Sequence, residues 1–566
     1  MTAVDEGPGQ APGLAVDDRW VPRHLALDRT SPAVQAPIAG QVKADVRVAA
    51  RALHDAMLSA PATALEEPWQ PVRDDPGTVI AAAEDDRPDV AGGVRWSLIA
   101  TIGTLAGRMA FVVLLMRMLG PGNFGIVAQA TIYITIATIF LNLGLPVTII
   151  QRRNLDRAGI GTAQSLTIAT ALLLGVATVF GAPVLANFFR TPELTGVLRV
   201  ISISLVLKGL AVVPTAMLAR QMRFRALGMA EISSTAISGA IAIAAAMNGA
   251  GYWALVIQIL VLDTIYLAMV LGAARLPPPT WSPAAARGLW SFSSRMMGSD
   301  IINYLSNNGD KVLIARFLGA TPLALYGLAG RVLVVPIETL GKTGDRVILP
   351  MFSRLQDDKE RVVRYFLEAS ASVALFASLP MTLVILCAPL AVPITFGDAW
   401  DAAVLPLQLL AAHSVFFLLI ALTNPVVQAA GRADWEFRWA LFTTVIALAT
   451  FAIGLQWGIA GMAACFLVQG ALLNPIRFVM VQRLIPLSVR AYLRQLAPAA
   501  TSTAALVGAW LVVATMLRDQ VGDLSVLVAA SVAGLVAFLV SMRVLWWADL
   551  RRQIEFILQV LRPGPS

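Results

Sequence analysis

The sequence predicts an all-α polytopic membrane protein. Fourteen transmembrane helices are expected, as two pseudo-symmetric six-helix bundles around a central cavity plus two extra helices. Three observations carry this. Of 566 residues, 57% are hydrophobic and only 14% charged, where a soluble domain carries roughly 25% charged residues. Apolar runs follow one another from Trp96 to Trp547, each long enough to cross a bilayer as a helix and too long for a barrel strand. Lastly, the cations concentrate in every second connection.

Residues 1–94 hold 15 Asp/Glu and 8 Lys/Arg, whereas the rest of the chain holds 20 and 35. The first 92 residues are rich in Ala, Pro and Asp and show no apolar h-region, so no cleavable signal peptide is expected. They read as a mostly disordered cytoplasmic tail with one Ala-rich helix from Lys43 to Leu58.

The amino-terminal lobe, 93–275, takes six helices at 96–119, 124–149, 163–185, 195–218, 229–248 and 251–274. The carboxyl-terminal lobe, 276–485, takes six more at 290–318, 323–350, 366–390, 402–428, 437–456 and 458–481. Helices thirteen and fourteen, 494–517 and 524–547, fill segment 486–547. In 548–566, Leu550, Ile554, Ile557, Leu558 and Leu561 share one face, which predicts a cytoplasmic interfacial helix and tail. Gly144 with Pro146, Pro336 with Gly341 and Gly344, and Pro406 are expected kink sites in helices two, eight and ten.

Connections between even and odd helices carry 17 Arg/Lys, from Arg152 to Arg494, whereas the odd-to-even ones carry only Arg190 and Arg518. Positive charge stays in the cytoplasm, so both termini are expected there. The net charge of +8 is therefore topological, and no nucleic-acid partner is expected. Cys387 and Cys465 lie inside apolar runs and form no metal or disulfide pattern. Gly341-Lys342-Thr343 imitates the end of a phosphate-binding loop, but Pro336 stands where its first glycine belongs. No cofactor, metal site or enzymatic constellation is expected.

An internal repeat supports the two lobes. Helix one ends Arg117-Met-Leu-Gly120, a short turn, then Phe124-Gly125; helix seven ends Arg316-Phe-Leu-Gly319, a short turn, then Tyr326-Gly327. Six helices separate the copies, so both have the same orientation and an axis along the membrane normal relates them.

Charges inside apolar helices are costly and mark cavities or partners. Asp300, Asn303, Asn307 and Asp310 stack on one face of helix seven, with Lys311 beside them and Arg295 toward one end. Helix one brings Arg108, helix four Lys208, helix six Asp263, helix ten His413, and helix eight Arg331, Glu338, Lys342 and Asp345. Two readings stay open: ion pairs that lock the packing, or a polar cavity. Arg108, Lys208, Arg295, Asn303, Asn307, Lys311, Arg331 and Lys342 are the candidate substrate-binding residues. Asp263, Asp300, Asp310, Glu338 and Asp345 are the candidate coupling carboxylates. Asp310 beside Lys311 is expected to be structural, and His413 a packed or hydrogen-bonded side chain.

The stretches Gly93-Val-Arg-Trp-Ser97, Arg117-x-Leu-Gly-Pro-x-x-Phe-Gly125, Asn308-Gly-Asp-Lys311 and Arg316-Phe-Leu-Gly-Ala-x-x-Leu-Ala-Leu-Tyr326 resemble the polysaccharide transporter family. These are bacterial oligosaccharide flippases of the multidrug/oligosaccharidyl-lipid/polysaccharide superfamily, and the likeness is to the colanic and teichuronic acid exporter-like branch. The resemblance covers roughly residues 92–490. It implies alternating-access export of undecaprenyl-diphosphate-linked oligosaccharide across the bacterial inner membrane, for exopolysaccharide or lipopolysaccharide assembly. Two lobes would surround a cationic cavity, alongside a polysaccharide polymerase and glycosyltransferases. The competing readings are a multidrug or peptidoglycan-precursor exporter of the same superfamily, and an integral-membrane polymerase or ligase. The longest loops on the extracytoplasmic side are too short to hold a polymerase's catalytic residues. The long tail departs from relatives that start close to helix one.

Overall fold

The computed structural model describes residues 90–142, 144–151, 157–274, 276–283, 286, 300, 304, 307–333, 352, 358–547 and 551. The tail and its expected helix, and the carboxyl-terminal interfacial helix apart from residue 551, lie outside them. Among the described residues every regular element is helical. The order is α1 (Val90–Asn142), α2 (Leu145–Gln151), α3 (Arg157–Phe189), α4 (Leu194–Arg220), α5 (Phe224–Met247) and α6 (Trp253–Ala273). Helical residues 307–317 and 320–333 form α7 and α8. Then come α9 (Lys359–Phe396), a 3-10 turn (Asp398–Ala403), α10 (Val404–Ala421), α11 (Thr423–Ala429), α12 (Ala433–Gly454), α13 (Gly458–Gln482), α14 (Val489–Leu517) and α15 (Asp523–Leu545).

Ten stretches among the described residues are long and apolar enough to cross a membrane. Two of them, Gly107–Ile150 and Asp434–Gln482, have 44 and 49 residues. Straight helices of that length would reach about 66 and 74 Å, against a hydrocarbon core of about 30 Å. Both are broken internally. Gly120 has φ 70° and ψ 171°, a conformation open to glycine, and Pro121 restarts the helix where its missing N–H costs nothing. In the second stretch a 3-10 turn, Leu455–Trp457, and Gly458 at φ 67° separate α12 from α13.

Prolines act at positions the sequence only partly announces. The helix opening at Pro121 stops at Asn142 and restarts at Leu145, across Gly144 at φ 64°. Pro406, expected to interrupt helix ten, sits in the first turn of α10, where no intrahelical donor is needed. The interruption falls instead at Leu422, because Pro425 has no N–H for the Ala421 carbonyl.

Helices α1–α6 pack into one group, in which α3 lies on α4, α5 on both α6 and α1, and α4 on α6. Helices α9–α13 form a second group, with α10 between α9 and α13, and α14 and α15 pair with each other against α9. Small residues permit the tightest approaches. A Cβ on Gly209 of α4 would fall 2.4 Å from the Ala171 Cβ of α3, and one on Gly239 of α5 would enter the Phe111 ring of α1. The connection 276–283 lies over the start of α3: the Ser282 amide donates to Thr162 Oγ1 (3.0 Å) and Ser165 Oγ donates to the Thr280 carbonyl (2.9 Å).

Backbone bends recur at corresponding connections of the two groups. Positive φ occurs at Gly120 (70°) and Gly319 (95°), and at Arg190 (56°) and Gly397 (94°). It occurs again at Met222 (57°) and Gly431 (70°), and at Gly251 (57°) and Gly458 (67°).

Candidate functional site

The two helix groups meet toward the end of the bundle that carries Gly120, Gly319 and Gly397. Trp400, fully buried in the 3-10 turn Asp398–Ala403, is the centre of the contact. Its indole N–H donates to the Met116 carbonyl of α1 (3.1 Å), and Phe124 meets its ring edge to face at 5.9 Å. Gln129, also fully buried, donates to the Ala315 carbonyl of α7 (3.2 Å). Gly125 lies so close to Ala320 that a Cβ there would sit 2.1 Å from its carbonyl oxygen.

The repeated Arg-x-Leu-Gly arginines reach across in reciprocal fashion. Arg117 at the end of the first helix donates to the Ile394 carbonyl near the end of α9 (2.7 Å). Arg316 at the end of α7 lies 5.2 Å from the Phe188 ring centroid at the end of α3. Arg331 of α8 is exposed and lies 5.8 Å from the Phe124 ring. Deeper along the helices, the Tyr304 hydroxyl donates to the Ile132 carbonyl (3.3 Å).

Of the expected polar face of helix seven, Asp300 and Asn307 are exposed and Lys311 is half-buried, its Nζ donating to Asn308 Oδ1 (2.8 Å). Asp310 is buried beside Lys311 and the buried Tyr326 of α8. Arg108 is exposed on α1 and makes no ion pair among the described residues. Arg295, Asn303, Glu338, Lys342 and Asp345 lie outside the described residues.

Lys208 and Asp263 have no opposite charge nearby in sequence, yet they pair across α4 and α6. Lys208 Nζ contacts Asp263 Oδ2, the same oxygen accepts from Ser204 Oγ, and Lys208 also donates to Ser204 Oγ (3.1 Å). The carboxylate side chain is 8% exposed and the lysine 31%, so the ammonium keeps a route to water. Asp263→Ala should cost about 1–3 kcal/mol, the range for an unsatisfied buried polar group, because Lys208 retains partial hydration. Lys208→Met with Asp263→Leu should recover most of it. Thermal midpoints in detergent measure both.

The sequence reading passed over a second ionic cluster. Arg477 of α13 is fully buried, with Nη2 donating to Glu436 Oε2 (2.5 Å) and Asn424 Oδ1 (3.1 Å), and Nε to Thr423 Oγ1 (2.8 Å). The Trp439 ring centroid lies 5.3 Å from its guanidinium carbon. An arginine inside the run 458–481 was the available signal. His413 packs beside the Phe466 and Phe417 rings.

Residues 114–405 match the family model described as "Polysaccharide biosynthesis protein", just over half of the chain. The chain is 25% identical over 423 residues to the lipopolysaccharide biosynthesis protein WzxC of Escherichia coli (strain K12), covering 72% of this chain and 84% of that one. It is 28% identical over 361 residues to the teichuronic acid biosynthesis protein TuaB of Bacillus subtilis (strain 168), covering 62% and 73%. Its fold is similar to that of the lipid II flippase MurJ in an inward closed conformation, with TM-score 0.63 at 11% identity over 81% of this chain and 99% of that one. At that identity the likeness is one of fold. The family expected from the Arg-x-Leu-Gly motifs is thus reached by an independent route: the chain belongs to the polysaccharide biosynthesis protein family and is a multi-pass membrane protein of polysaccharide biosynthesis.

Proposed function

We propose that the chain exports an undecaprenyl-diphosphate-linked oligosaccharide across the bacterial inner membrane by alternating access. The proposal includes fourteen spans, two six-helix lobes and both termini in the cytoplasm. The carrying observation is that, among the described residues, the contacts joining the two helix groups gather toward one end. Trp400, Arg117 and Gln129 join the two helix groups toward the Gly120 end, whereas the basic connections carrying Arg220, Arg223, Arg432 and Arg483 lie at the other. Under the positive-inside rule the closed end faces outward. Arg108, Lys208, Arg295, Asn303, Asn307, Lys311, Arg331 and Lys342 would line the path, the cations holding diphosphate or acidic sugar through charge-assisted hydrogen bonds. Asp263, Asp300, Glu338 and Asp345 would bias the two states by taking up a proton or cation. Asp310, buried beside Lys311 and Tyr326, is the weakest of the coupling candidates. A polysaccharide polymerase and glycosyltransferases would act on either side of the step.

The test is lipid-linked oligosaccharide analysis in a strain lacking the chain. The expected result is accumulation of the lipid-linked repeat unit and loss of the surface polymer. Wild-type protein should restore export, and Arg108→Ala or Lys311→Ala should not, although both remain in the membrane. Normal lipid-linked intermediates in the deletion strain would overturn the substrate. Full export by both variants would remove Arg108 and Lys311 from the path.

A further inference from the structure

A cavity of about 700 Å³ opens at the basic end of the carboxyl-terminal helices. Its rim carries Lys359 from the start of α9, Arg432 from the turn after α11, and Arg483 from the turn after α13. Its floor is apolar, formed by Phe352, Val362 and Ile485, all buried members of one hydrophobic cluster. Asp434 takes the Nε of Arg432 (3.2 Å), and the guanidinium carbon lies 4.4 Å from the Trp435 ring centroid, so this cation is held in place. Among the described residues neither Lys359 nor Arg483 pairs with a carboxylate. Asp358, next to Lys359 in sequence, is engaged by Arg361 (3.0 Å).

We infer that this cavity binds the phosphate head of an anionic lipid of the adjacent leaflet. The argument rests on the combination. Cations alone on a surface attract any anion, and an apolar hollow alone takes any chain. Three cations around an apolar floor, at the level where the helices leave the hydrocarbon, match an amphiphile whose phosphate meets the rim and whose first carbons meet the floor. The volume lies within the range of small-molecule sites. None of its lining residues takes part in the contact between the two helix groups, so this is a different place. Two lipids share the chemistry: a bulk phospholipid such as phosphatidylglycerol, and a polyprenyl diphosphate. The inference does not depend on transport, and binding in detergent is read separately from it.

The experiment is native mass spectrometry of the full chain. The purified protein is exchanged into micelles with phosphatidylglycerol, phosphatidylcholine or a polyprenyl diphosphate of defined length. The expected result is preferential retention of the two phosphate-rich anionic lipids over phosphatidylcholine. Each of Lys359→Gln, Arg432→Gln and Arg483→Gln should lower retention about fivefold, the size of one cation's contribution near a lipid surface. Arg518→Gln, an exposed cation at the opposite end, should leave it unchanged. Displacement of phosphatidylglycerol by polyprenyl diphosphate identifies the second lipid as the occupant, and the reverse order identifies the first. Equal retention by wild type and all three variants overturns the inference, as does an equal loss in Arg518→Gln. The exposed Arg483 can be replaced without touching the buried floor, so its variant decides the question if the others fold poorly.

Discussion

Gly125→Val should abolish export, lowering it at least about tenfold, while the protein still inserts. A Cβ at Gly125 would lie 2.1 Å from the Ala320 carbonyl oxygen and 2.3 Å from its carbon. Both are backbone atoms of a neighbouring helix and cannot rotate aside, so the two helix groups cannot close at this point. Packed contacts of this kind are bistable and do not deform gradually. A chain that never closes this end cannot complete an alternating cycle. Gly122→Ala is the matched control: its Cβ would meet only the Thr321 hydroxyl at 3.7 Å, an ordinary contact, and more than about half of export should persist. The direct measurement uses a cysteine at Thr321 and an impermeant thiol reagent applied from outside. Labelling should rise severalfold in Gly125→Val and stay at the wild-type level in Gly122→Ala. Unchanged labelling together with normal export would mean that the closed contact is dispensable.

The second large effect is on stability. Arg477→Ala should cost about 3–5 kcal/mol, the range for breaking a buried pair and leaving one charge behind. Arg477 is fully buried, and the variant strands Glu436 together with the Thr423 and Asn424 acceptors. The Trp439 ring also loses its cation. Arg477→Lys keeps the charge but loses the planar fork that serves three acceptors at once, so an intermediate loss is expected. Arg477→Met with Glu436→Leu should recover most of the stability, because removing both partners also removes the desolvation cost. Fluorescence-detected size exclusion after heating checks the order: alanine lowest, lysine between, the double variant nearest wild type. A neutral Arg477→Ala would contradict the cluster.

The membrane makes most of the helices readable from composition. A backbone in lipid has to satisfy its own hydrogen bonds, so each apolar run of sufficient length becomes a helix. The Arg-x-Leu-Gly repeat and the family resemblance were legible for the same reason: they are local strings. What escaped depends on approach between distant segments. Lys208 and Asp263 are 55 residues apart in the chain, and neither shows a partner within its own helix. Arg117 was visible as half of a motif, but its acceptor is a backbone carbonyl 277 residues away. Trp400 looked like one apolar residue in a short acidic loop, and only folding places it under Phe124 and against Met116. Arg477 lies six residues before Arg483 and reads as one more boundary cation until its burial is known. The shift of the helix-ten break from Pro406 to Pro425 has a similar cause. A proline's effect depends on its distance from the helix start, and that start was placed only to within a few residues.

The chemistry of the closed end also decides where an energy source can act. Its named groups are Arg117, Arg316 and Arg331, the rings of Phe124, Phe188 and Trp400, the Gln129 amide and backbone carbonyls. The named contacts are thus made by guanidinium groups, rings, an amide and carbonyls. Asp398 and Asp401 flank Trp400 in the same 3-10 turn and are exposed, so carboxylates lie beside this contact without forming part of it. Under the proposed cycle, a proton or ion gradient acting through groups inside the helix bundle, such as Asp263 with Lys208, would reach this contact only through movement of the helices.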